Sequence, residues 1–246
     1  MPKATFRFYA ELNDFLPLER RQVGFEHMFG GHETVKHLVE SLGVPHTEVD
    51  LLLINGVSVG FDNSVEEGDQ VSVYPVFESM DIKAVSRVRP EPLREPRFVL
   101  DGHLGKLAKY LRLMGFDTLY RNDFDDHELA EISSSDRRIL LTRDRGLLKH
   151  SRVTHGYCIR AKKPKKQVNE VLQRFDLHRL AQPFSRCARC NGILKPAAKA
   201  DVYDRLEPKT KHYFEEFSIC PECDQIYWKG SHFKKLERFI DQVLQV

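Results

Sequence analysis

No run of apolar residues in this chain approaches the roughly 20 needed to cross a bilayer, which argues against a membrane-spanning helix. No charged-then-apolar leader precedes the first strand pattern either. Met1-Pro2-Lys3 passes straight into alternation, so the expectation is a chain without a signal peptide, resident in the cytoplasm. Cysteine is sparse, five in 246 residues, and four of the five fall in two close pairs. Neither sign of charge dominates, with 38 Lys+Arg against 36 Asp+Glu. What remains is 41% hydrophobic and 30% charged, a soluble globular composition long enough for one large domain or two to three small ones.

The near-neutral balance conceals an asymmetry. Residues 1–78 carry 5 Lys+Arg against 13 Asp+Glu, a net −8, whereas residues 97–180 carry 18 against 11, a net +7. An acidic module therefore precedes a basic one. Basic charge around an acidic cation site suits a polyanionic substrate.

Lys3 to Ala10 alternates, Phe6 and Phe8 on one face and Thr5 and Arg7 on the other, as a half-buried strand does. Val23 and Phe25 offer a second strand after a turn near Pro17. Val35, Leu38, Val39 and Leu42 form a helical stripe that Gly43 and Pro45 stop. Asn55-Gly56 then joins Leu51–Ile54 to Val57–Val59; both turn positions accept φ > 0, a strong hairpin signal. Val71–Tyr74 closes the module. The order ββαβββ reads as a β-grasp fold. Ile54-Asn55-Gly56-Val57 followed by Val65-Glu66-Glu67-Gly68-Asp69-Gln70-Val71 resembles the ubiquitin-like sulfur carriers, which end in a free Gly-Gly tail. Here the last strand runs on into Pro75–Ser79 without one, so the expectation is a module that engages a partner or guides substrate. His27, His32 and His37 have no ligand spacing and read as surface or core residues. Pro90, Pro92 and Pro96 predict an extended connector over 80–96.

Past the connector, Phe98-Val99-Leu100 ends on Asp101, and Ile139-Leu140-Leu141-Thr142 leads to Asp144. Acids just beyond buried strands recur in open α/β sheets, whose sites form at the carboxyl ends of strands. Between them stand Asp123, Asp125, Asp126 and Glu128. Asp125 and Glu128 have capping-box spacing, which leaves Asp126 as the inward-facing candidate, with Asp123 and Glu128 in reserve. Such carboxylates, if they converge, hold a divalent cation and support phosphodiester chemistry. Read singly, each is a helix cap or turn residue. Lys106, Lys109 and Arg112 recur along one helix, Arg143 and Arg145 flank Asp144, and Lys162, Lys163, Lys165 and Lys166 cluster before another helix. All are candidates for contacting phosphates or for ordinary solvated faces. Cys158 lies in an apolar run, as an inert buried thiol does.

Phe98–Asp101, then Gly105-Lys-Leu-Ala-Lys-Tyr-Leu-Arg-Leu-Met-Gly115, then Arg138-Ile-Leu-Leu-Thr-Arg-Asp144-Arg-Gly-Leu-Leu148 together resemble a specific family. It is the PIN-like RNase domain first described at the C-terminus of a mutator exonuclease, whose members often carry a ubiquitin-like module in front. The resemblance implies a metal-dependent ribonuclease with Mg²⁺ or Mn²⁺ held at Asp101, Asp126 and Asp144. Many PIN domains place a fourth acid shortly after the Thr-x-Asp motif, whereas here Arg145 and Gly146 follow.

Cys187-Ala-Arg-Cys190 and Cys220-Pro-Glu-Cys223 are two knuckles. This is the strongest motif in the chain, and it reads as a structural tetrahedral Zn²⁺ site with a redox dithiol as the alternative. Tyr227, Trp228 and His232, just beyond, either stack on an unpaired base or pack the ribbon against the body.

The expected architecture is an α/β protein in three parts: a ubiquitin-like β-grasp domain over 1–79, a PIN-like parallel-sheet nuclease core over 97–180 after the connector, and a zinc ribbon with a terminal helix over 181–246. The expected function is hydrolysis of RNA at the three aspartates, with Lys106, Lys109, Arg112, Arg143 and Arg145 positioning phosphates. A non-catalytic RNA-binding adaptor, its β-grasp module recruiting a protein partner, is the rival from another class. A phosphoacceptor with Asp101 as target is a weaker one, since only Glu95 precedes the first strand.

Overall fold

The computed structural model describes residues 1–75, 85–88 and 95–245. In chain order these form β1 (Lys3–Phe8), β2 (Phe25–Met28), α1 (Val35–Ser41), β3 (Val49–Ile54), β4 (Val57–Ser58) and β5 (Gln70–Pro75). Then follow β6 (Phe98–Leu100), α2 (Gly105–Leu113), β7 (Thr118–Tyr120), α3 (Asp126–Ser135), β8 (Ile139–Thr142), α4 (Arg145–Leu148), β9 (Gly156–Cys158) and α5 (Pro164–Arg174). The C-terminal part holds β10 (Lys195–Ala197), α6 (Lys199–Val202), α7 (Pro208–Tyr213), β11 (Phe217–Ile219), β12 (Ile226–Trp228) and α8 (Ser231–Leu244). Most of the connector expected over 80–96, Pro90 and Pro92 included, lies outside the described residues, as do residues 76–79. The chain is a mixed α/β protein with parallel strands, an N-terminal β-grasp part and a C-terminal cysteine cluster.

Contacts group the chain into two compact units, neither a single stretch: residues 1–95 with 125–158, and residues 96–124 with 159–246. In the first, the β-grasp sheet has the order β2-β1-β5-β3-β4, with β1 and β5 parallel at its centre. The alternating residues Phe6, Phe8, Val71 and Val73 are buried, together with the α1 stripe Val35, Leu38 and Val39. Thr34 caps α1 by accepting from the His37 N–H at 3.3 Å. Asn55 and Gly56 turn with φ of 52° and 81°, the left-handed pair that a two-residue hairpin demands. His27 lies edge-on to Phe6, with ring centroids 5.9 Å apart, and burial, then the nearby Arg20, lowers its pKa.

The rest of this unit is α3, β8, α4 and β9. Strands β8 and β9 are parallel, and Gly156 on β9 has no room for a side chain: a Cβ there would stand 2.6 Å from Leu148 Cδ2. Two buried polar groups tie these elements to the β-grasp part. His46 reaches Glu40 Oε1 through Nδ1 at 2.7 Å and the Val153 carbonyl through Nε2 at 2.8 Å. Glu48, fully buried, accepts from the Cys158 N–H at 2.6 Å. A buried donor that loses its acceptor costs about 1–3 kcal/mol. Glu48→Ala should therefore lower the unfolding free energy by that order, seen as a lower denaturant midpoint, and a midpoint equal to wild type would show that this bond holds nothing together.

In the second unit β6 and β7 are parallel, in register from Phe98 with Thr118 to Leu100 with Tyr120, and α2 connects them. Leu107, Ala108 and Leu111 of α2 are buried with Val168, Val171 and Leu172 of α5. Phe98 sets its ring against Phe116 at 6.4 Å and Phe175 at 5.8 Å. Strands β10-β11-β12 form a small antiparallel sheet. Its own core is Val202, Leu206, Phe217 and Ile226, so the long gap between the cysteine pairs is filled by short helices as well as a hairpin. The terminal helix begins at Ser231 and docks through Phe239, whose ring stands 4.8 Å from that of Tyr110.

Candidate functional site

Strand β6 ends at Leu100 and Asp101 follows at once. Its carboxylate accepts from the His103 N–H at 3.4 Å and caps the 3₁₀ turn Gly102–Leu104 that feeds α2. Asp144, two residues past β8, caps α4 in the same manner, accepting from the Gly146 N–H at 2.6 Å and the Leu147 N–H at 3.4 Å. Before α3 the capping box is complete: Asp125 accepts from the Glu128 N–H at 2.8 Å, and Glu128 accepts from the Asp125 N–H at 3.1 Å. Asp126 is left at the exposed first position of that helix. Asp123 pairs with Arg121 at 2.9 Å, a hydrogen bond that holds its carboxyl below the ordinary range. Asp101 belongs to the second compact unit, and Asp126 and Asp144 belong to the first.

The candidate cations divide. Lys106, Lys109 and Arg143 are exposed. Arg145 lies over the Phe15 ring at 4.8 Å and donates to the Phe15 carbonyl at 3.3 Å. Arg112 is only 4% exposed; it donates through Nε to the Thr118 carbonyl at 2.9 Å and through Nη1 to the Arg189 carbonyl at 2.8 Å. Burial lowers its pKa and outweighs the nearby cysteines and Asp117, which raise it. Its guanidinium faces backbone, which corrects the expectation that it contacts phosphate. It braces the first knuckle against β7, and Asn191 completes the brace by accepting from the Thr118 N–H at 2.9 Å.

The four knuckle thiols do come together, their ligand atoms all within 4.8 Å of one another. Cys187 Sγ stands 3.5 Å from Cys223 Sγ, and Cys190 Sγ stands 3.3 Å from Cys220 Sγ. Thiolates about 2.3 Å from a tetrahedral Zn²⁺ stand about 3.8 Å apart, so the cluster is the right size and donor type to hold that ion. Positive φ at Asn191 and Asp224, 80° and 61°, shapes the knuckle turns. A Cβ at Gly192 would stand 2.9 Å from Cys220 Sγ. Burial alone would raise the Cys187 thiol. The Tyr227 hydroxyl, 3.1 Å from it, and the Cys190 and Arg189 N–H groups outweigh burial and hold it down at about 7. Burial pushes Cys190 and Cys223 upward, the cost that a bound cation removes by taking them as thiolates.

The Mut7-C RNAse domain family matches residues 96–240, more than half of the chain. The chain belongs to that family. The Mut7-C ubiquitin family matches residues 1–81, the stretch that contains β1 to β5. A human protein described as an exonuclease mut-7 homolog is 34% identical over 106 residues. The match covers 41% of this Mut7-C chain and 12% of that protein, so the chain corresponds to a small part of its relative. No solved structure matches. Residues that sequence reasoning passed over are His46 and Glu48, and the aromatic side chains Phe184 and Phe214 near Trp228. They lie far from their partners in sequence, with no local pattern to mark them.

Proposed function

We propose that this Mut7-C protein is a ribonuclease of PIN-like design, hydrolysing RNA phosphodiester bonds with Mg²⁺ or Mn²⁺ bound by Asp101, Asp126 and Asp144. The observation that carries the reading is the placement of Asp101 and Asp144, each just past the carboxyl end of a strand in a parallel pair. Carboxylate oxygens are the donors that Mg²⁺ and Mn²⁺ take. A bound cation lowers the pKa of water and offsets charge gathering on the phosphoryl oxygens. The exposed Lys106, Lys109 and Arg143 position phosphates, the β-grasp part recruits a protein partner, and the knuckle thiols hold a structural Zn²⁺. Reduced thiols fit a cytoplasmic location. Incubation with a pooled cellular RNA and Mn²⁺, followed by sequencing of the ends, should yield new ends that chelation of Mn²⁺ suppresses.

The adaptor reading has one observation of its own: Asp101 and Asp144 each cap a helix start, a role complete without an ion. On that reading RNA binds equally with and without Mg²⁺, and no new ends appear.

A further inference from the structure

Beside the knuckles, within the second unit, lies a cleft of about 670 Å³ formed by α2, β12, the first knuckle and the start of α8. That volume is in the range of small-ligand sites. Five aromatic rings line it: Phe184, Phe214, Tyr227, Trp228 and Phe233. Phe184 and Phe233 pack on each other with centroids 4.3 Å apart, and Tyr227 is tied by its hydroxyl to Cys187 Sγ and to the Ala188 N–H, each at 3.1 Å. These rings are committed to the protein. Trp228 is not so enclosed: it is 38% exposed, and it lines both this cleft and an adjoining hollow of about 390 Å³. A Cβ at position 230 would stand 3.0 Å from Trp228 Nε1, so glycine there leaves room for the indole.

The charge of the lining is one-sided. Lys109 and Arg189, both exposed, are its cations, and no Asp or Glu is among its described residues. Flat aromatic surface with cations and no acid complements a chain that carries planar bases on a phosphate backbone. An apolar peptide would use the rings but gain nothing from Lys109 and Arg189. A duplex would keep its bases stacked and offer the rings no face.

We propose that this cleft binds an unpaired nucleobase of single-stranded RNA, stacked on the Trp228 indole, with the flanking phosphates on Lys109 and Arg189. The choice of RNA rests on the ribonuclease reading above, whereas the cleft itself involves none of the three aspartates. The base site holds the strand by a feature that every base shares, and so without strong sequence preference.

Trp228 is the sole tryptophan of the chain, so intrinsic fluorescence reports on this one position. Titrating the full-length zinc-loaded protein with a short single-stranded oligoadenylate, no divalent cation added, should quench that emission saturably. A blunt duplex and an abasic oligomer of the same length should not. By anisotropy of a labelled strand, Trp228→Ala should bind about ten-fold more weakly and Trp228→Phe should recover most of the loss. Lys109→Glu, on the exposed face of α2, should weaken binding and lower the salt slope by about one. Equal quenching by the abasic strand overturns the proposal, as does a response to an apolar dye with none to RNA. Mn²⁺-dependent cleavage without quenching would overturn it and leave the nuclease standing. Quenching in a protein that never cleaves would do the reverse.

Discussion

Asp101→Asn and Asp144→Asn are each expected to reduce Mn²⁺-dependent RNA cleavage by about 10²–10³-fold or more, the scale on which losing electrostatic support for a phosphoryl transition state is felt. Both side chains cap a helix start, so the choice of substitution decides what the experiment can say. Asparagine caps about as well as aspartate, whereas alanine costs about 1 kcal/mol in cap stability. Asn also keeps the shape of the side chain and removes the negative charge that a divalent cation needs. Thermal midpoints should therefore stay near wild type in the Asn variants and fall in the Ala variants, while cleavage is lost in both. Cleavage that survives both Asn substitutions would make the acids caps and nothing more.

Asp126 sharpens this. Its neighbours Asp125 and Glu128 already complete the capping box, so Asp126→Asn removes at most a favourable charge near a helix N-terminus, about 0.3–1 kcal/mol. A large loss of cleavage at so small a cost in stability assigns it to the cation. Asp125→Asn is the matching control, with activity retained and the cap preserved.

The sequence discloses those parts of this protein that short-range chemistry dictates. Asn55-Gly56 announces its hairpin because two adjacent residues must take positive φ, and both do. The capping box at Asp125 and Glu128 and the two cysteine pairs are legible because box and knuckle are complete within four residues. Arg112 misled for the opposite reason. A spacing of i, i+3, i+6 looks like a stripe, but at 3.6 residues per turn the residue six positions on has rotated about 120° from the first. That rotation takes Arg112 from the exposed side of Lys106 into the interior. What fixes its role is a pair of carbonyls, at Thr118 and at Arg189, 77 residues away. His46 and Glu48 were equally opaque, because the groups they bind, at Val153 and Cys158, are over a hundred residues distant. Nor does the gap between the cysteine pairs announce its helices, since α6 and α7 are too short to build an apolar stripe, and α6 is anchored only by Val202 in the four-residue core around Phe217.

Zinc removal is expected to have the largest structural effect. Metal binding by structural Cys sites contributes about 10–16 kcal/mol to the folding of zinc-finger peptides. The core beneath β10-β11-β12 has only four buried side chains, too few to hold that sheet without help. Purified protein should carry one zinc per chain. Chelation, or Cys220→Ser, should expose the amides of 187–228 to hydrogen exchange and change the emission of Trp228. The disturbance should then travel along named contacts. Once Cys187 and Cys190 are released, the Arg189 carbonyl no longer holds Arg112, and Asn191 no longer holds the Thr118 N–H. Protection should therefore fall next at β7, while β1 to β5, which belong to the other compact unit, keep theirs. Full protection at Thr118 after complete zinc loss would show that the brace stands without the ion, and would reduce the four cysteines to a local clasp.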